Sequence, residues 1–133
     1  MLIEVEKVQE FPWSPFPLVQ IQTPVGRTSV QWCGPRDVSP GLHHVEWTID
    51  LPFAWGTRTR RADEPGPAIR PGGHCLVFRG RLLRTSEGSW VLDFGGSLIQ
   101  VDFTGGEPPE EVDGSWVQLY VPHENIGLHP TEP

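Results

Sequence analysis

The chain is short of almost everything a helix needs. Its 133 residues hold only three Ala. Its 15 Gly and 15 Pro are spread so evenly that the longest stretch free of both runs from Met1 to Phe11. A globular helix ordinarily spans about 11–12 residues without an interior Pro or Gly, so substantial helix is excluded. No apolar run approaches the ~18 residues of a membrane-spanning helix. Glu4, Glu6, Lys7 and Glu10 interrupt the place where the apolar part of a secretory leader would stand. A cytoplasmic location and no membrane contact are the expectations. Cysteine is scarce too. Cys33 and Cys75 are fewer than a small disulfide scaffold carries, which predicts two reduced, partly buried thiols. Lys and Asn each occur once, against nine Arg; that bias suits GC-rich coding and a bacterial source.

Catalytic motifs are also missing: no G-x-S-x-G elbow, no phosphate loop, no H-E-x-x-H and no C-x-x-C. The neighbours His43 and His44 face opposite sides of any strand and cannot readily share a metal, and His74–Cys75 has the same difficulty. A composite of His44 with Cys33 or His123 stays open, but zinc sites usually declare themselves by ligand spacing. No metal, no cofactor and no catalytic residue is therefore expected.

What is present points to β-structure. Six Trp and six Phe are distributed along the chain, with Val and Thr between the breakers, the residue types that suit a half-buried pleated surface. Leu18–Thr23 places Val19, Ile21 and Thr23 on one face, and Val45, Trp47, Ile49 and Leu51 share a face of the strand from His44. His74–Arg84 reads as a long strand, with Leu76, Phe78, Gly80 and Leu82 on one side. Gly95-Gly96 reads as a two-residue hairpin turn between strands Trp90–Phe94 and Ser97–Thr104. Further strands are expected at Leu2–Gln9, Thr28–Cys33, Ser115–Val121 and, briefly, Asn125–Leu128, with a frayed tail from His129 to Pro133.

The second half also echoes the first. Val19, Ile21, Val30, Trp32 and Gly34 return 71 residues later as Trp90, Leu92, Val101, Phe103 and Gly105. Such self-similarity bears directly on the fold. It predicts an all-β fold of two pseudo-repeated antiparallel halves of four to five strands each: residues 1–56, an Arg/Pro/Gly linker at 57–73, and residues 74–133. The order of strands and turns in each half resembles an OB-like small barrel, at the level of fold and without a family motif. Halves of about this size are marginal alone, so they should pack together. The alternative is one eight-stranded β-sandwich.

Charge separates the copies. The formal net charge is −7, yet Arg58, Arg60, Arg61, Arg70, Arg79, Arg81 and Arg84 fall in one segment, opposed there only by Asp63 and Glu64. Sign asymmetry of this kind marks an interaction surface. Three functions are compatible with it. The favoured one is a non-enzymatic binding module that docks a protein, of the inhibitor or immunity type, with Trp and Arg as anchors. The second is an OB-like oligonucleotide binder using the Arg58–Arg84 strip and Trp90. The third is an enzyme with a pocket between the halves. The candidate partner-binding residues are Arg58, Arg60, Arg61, Arg79, Arg81, Arg84, Trp13 and Trp90.

Overall fold

The computed structural model describes residues 1–131; Glu132 and Pro133, the end of the expected frayed tail, lie outside the described residues. It contains β1 (Leu2–Gln9), β2 (Leu18–Thr23), β3 (Gly26–Gln31), β4 (Gly41–Ile49), β5 (Pro52–Ala54), β6 (Thr59–Arg61), β7 (Ala68–Gly72), β8 (Cys75–Arg84), β9 (Trp90–Phe94), β10 (Ser97–Gly106), β11 (Trp116–Pro122) and β12 (Ile126–Pro130). Two single-turn 3-10 segments complete it, at Glu110–Val112 and His123–Asn125. The all-β expectation holds. Alternating residues bury as the pattern demands: Val19, Ile21 and Thr23 on β2, Val45 and Trp47 on β4, Leu76, Phe78 and Leu82 on β8. The β9–β10 hairpin turns at Gly95 and Gly96, whose φ of 62° and 91° are the left-handed values a tight turn requires.

The strands form two sheets. One is a curled five-strand half-barrel in the order β12-β4-β1-β2-β3. The other is a nearly closed six-strand mixed barrel, β5-β10-β9-β8-β11-β6, with β7 alongside β8. Both contain one pairing order: β4-β1-β2-β3 in the first, β11-β8-β9-β10 in the second. The strand that follows each set crosses to the other sheet. After β4, the chain lays β5 parallel to β10 and β6 antiparallel to β11. After β11, it lays β12 antiparallel to β4, with Leu128 bridging in parallel to Trp32 just beyond β3.

Segment 57–73 departs from the expected solvated connector, because it carries β6 and β7. Neither strand has an apolar period; both form because barrel edges offer them ladder partners. Thr59 is buried there, its hydroxyl accepting the Gly56 N–H (3.0 Å) and donating to the Ala54 carbonyl (3.4 Å). With β5 these strands raise the total above the eight of a simple sandwich. At the other end, His129 and Pro130 belong to β12, and the Thr131 N–H bonds the His44 carbonyl at 2.8 Å. Through Thr131 the tail is paired where fraying was expected. Apolar side chains of both sheets meet in one core. Trp47 of the first stands edge-on to Phe78 and Phe94 of the second, at 5.6 and 5.8 Å between centroids, a favourable aromatic geometry.

Candidate functional site

Three regions bear on function: the arginines, the Trp13 loop and a groove at Trp90. The arginine strip does not assemble into one open cationic surface. Arg60 bonds the Gln118 Oε1 through Nε (3.2 Å) and a terminal nitrogen (3.1 Å), with its guanidinium 5.7 Å from the Tyr120 ring centre. Arg79 donates to the Gly66 carbonyl (2.7 Å) and pairs with Glu64. Arg81 donates to the Gly114 carbonyl (3.1 Å). Arg79 and Arg81 fasten loops and Arg60 ties β6 to β11, using the fork of donors that makes Arg suited to it. Arg58 sits at φ 62°, and its carbonyl accepts the Tyr120 N–H. Arg58 and Arg61 form no side-chain hydrogen bond or ion pair among the described residues. The register nonetheless places Arg60, Gln118 and Arg79 in one cross-strand row and Trp116 beside Arg81, on the outer face opposite buried Phe78 and Leu82.

Trp13 lies elsewhere, on the Pro-rich loop between β1 and β2. It is 80% exposed, with the Phe11 ring against it, 4.9 Å between ring centres. The loop is held rather than loose. Ser14 N–H bonds the Phe11 carbonyl, the Ser14 hydroxyl donates to the Phe16 carbonyl (2.9 Å), and Arg36 donates to the carbonyls of Ser14 (3.1 Å) and Pro15 (2.7 Å). Arg36, absent from the candidates, ties down the carbonyls of the two residues that follow this tryptophan.

Trp90 and Arg84 do come together: the Arg84 guanidinium lies 5.6 Å over the Trp90 ring. Trp90 lines a groove of about 530 Å³ between β4 of one sheet and β10 of the other. Its walls include Leu98, Gln100, Asp102 and Glu107. Trp90 is 2% exposed, and its indole N–H, closed to water, has no hydrogen-bond partner among the described residues. The Asp102 and Glu107 carboxylates were not among the candidate residues. A signal was legible for their neighbour: Leu98 falls on the polar face of β10, with Gln100 and Asp102, and is 65% exposed.

Cys33 and Cys75 are both free and half-buried. Among the described residues no three His, Cys, Asp or Glu side chains gather as a metal-binding group, and no helix is long and apolar enough to cross a membrane. These features define an all-β protein of two sheets with an aromatic loop at one place and an acidic groove at another. No family model, curated protein or solved structure matches this chain.

Proposed function

We propose that this chain is a non-enzymatic binding module that docks a protein partner, built from two OB-like units that have exchanged their fifth strands. The shared strand order and the reciprocal crossing of β5–β6 and β12 support that architecture. The observation that carries the function is Trp13. A large apolar ring kept 80% exposed is costly to leave in water, and the loop that carries it is already tethered by Arg36. Preorganised Trp anchors dominate interface energetics because little entropy remains to be lost on docking. The net charge of −7 favours a basic partner through complementary fields.

The test is capture from a lysate of the encoding organism with tagged wild-type and Trp13→Ala chains. The expected result is a stoichiometric companion on the wild type that falls by tenfold or more on the variant, as for a hot-spot residue worth ~2 kcal/mol or more. Equal recovery on both, or no companion at all, overturns the reading.

One observation favours nucleic acid as a second reading: Arg60, Arg79 and Arg81 share an outer face with Trp116 and Tyr120. Against it, those guanidiniums are already bonded within the chain. If it is right, single-stranded DNA or RNA binds at low salt with affinity falling steeply as salt rises.

A further inference from the structure

We infer that the groove at Trp90 is a second binding site, which takes an extended, lysine- or arginine-bearing peptide segment. It rests on the protein-partner reading only for the kind of ligand; its observations are independent of Trp13.

The first observation is charge. The groove wall carries Asp102 and Glu107 and no Lys or Arg. Asp102 has no ion pair among the described residues, and Glu107 reaches Arg84 only at 4.0 Å. With Arg84 over Trp90 and 4.0 Å from Glu107, the two carboxylates still leave the groove net negative, which favours a cation over a phosphate. The second is the unpaired Trp90 indole N–H. A buried donor without an acceptor costs about 1–3 kcal/mol, and such groups call for a reason. Trp90 lines the groove together with Gly88 and Ser89, and a ligand carbonyl reaches the indole nitrogen on binding. The third is the backbone of β10. Around the two-residue turn, Ser97, Ile99 and Val101 pair with Phe94, Leu92 and Trp90, and these are the hydrogen-bonded pairs of such a hairpin. Leu98 and Gln100 therefore turn their backbone N–H and C=O to the opposite edge, where β5 begins to pair only at Asp102. A free edge is a template for extended chain.

A peptide answers all three at once: carbonyls for the indole and the β10 edge, a cationic side chain for the carboxylates, and apolar contact for Leu98. The test uses the full chain, labelled for NMR, with the Trp90 indole resonance assigned by Trp90→Phe. Four probes are titrated: a short capped peptide of alternating Thr and Lys, its counterpart with Glu for Lys, maltotriose, and inorganic phosphate. The Lys peptide should shift the Trp90 indole and the Leu98 and Gln100 amides; the other three should not. Asp102→Asn with Glu107→Gln, both at exposed positions that folding tolerates, should weaken it on the order of tenfold, the worth of charge-assisted bonds. Trp13→Ala should leave it unchanged. The proposal is overturned by equal response to the Lys and Glu peptides, by response to maltotriose or phosphate instead, by no response at millimolar Lys peptide, by unaltered affinity in the double variant, or by loss of binding in Trp13→Ala. A lost lysate partner with intact groove binding would count against the Trp13 reading alone.

Discussion

Cys33 shows how much of a residue's chemistry depends on what the fold puts over it. Two thiols were expected to be reduced and partly buried, and both are free and half-buried. At Cys33, β12 passes close enough that a Cβ on Gly127 would lie 3.0 Å from the sulfur. That burial pushes the thiol pKa up, because desolvation penalises the thiolate, and a backbone hydrogen bond at Leu128 pulls it only partly back. A raised folded-state pKa means a stabilising contribution fully present below the unfolded thiol's pKa, about 8.5, and lost as pH climbs through the folded value. On a Cys75→Ser background, iodoacetamide labelling of native Cys33 should therefore accelerate at a higher pH than labelling of cysteine in a short capped peptide. A midpoint at or below that of the free thiol would refute the assignment. The same contrast holds for Trp90: the sequence marks it as a candidate anchor, but that its N–H lacks an acceptor among the described residues is a tertiary fact.

At the scale of the element, β8 is the strand on which most depends. One edge pairs with β11 throughout Cys75–Arg81, while the other passes from β7 to β9 around Gly80. The sequence placed Gly80 on the inner face between Phe78 and Leu82, and there it is buried. What the sequence did not reveal is why glycine stands there. A Cβ would sit 2.5 Å from the Asp93 carbonyl oxygen and 2.9 Å from Leu92 Cγ, so β9 can approach only a residue without one. Gly80→Ala should destabilise by about 1–3 kcal/mol, the range for overpacking a well-filled site, measured by urea denaturation; a change within about 0.5 kcal/mol would refute it. The short strands β6 and β7 were illegible for the converse reason. Their exposed Arg60, Arg61 and Arg70 carry no alternation, and their order comes from the edges of β11 and β8.

For the molecule as a whole, the crossing strands decide how it unfolds. Taking β12 from β4 uncovers the first sheet, and taking β5 and β6 from β10 and β11 opens the second. Trp47 packs on Phe78 and Phe94 across the divide. The buried apolar side chains of both sheets form one cluster, so unfolding should be a single cooperative transition. Far-UV circular dichroism and tryptophan fluorescence should give coincident urea curves. Two separated transitions would mean the halves are independent, contrary to the shared core.

The sequence by itself determined the class of structure and most of its strands. Breakers at short intervals forbid helices, and period-two alternation with Gly-rich turns specifies local strands and hairpins without reference to distant partners. Only tertiary structure decided which edge each late strand joins. The pairing of β5 and β6 with β10 and β11, and of β12 with β4, lies in backbone hydrogen bonds that, apart from proline's missing N–H, do not depend on the side chain, so no side-chain pattern records it. The groove walled by β4, β10 and Trp90 exists only where those sheets meet. Its carboxylates look, in the sequence, like any others on a solvated strand face.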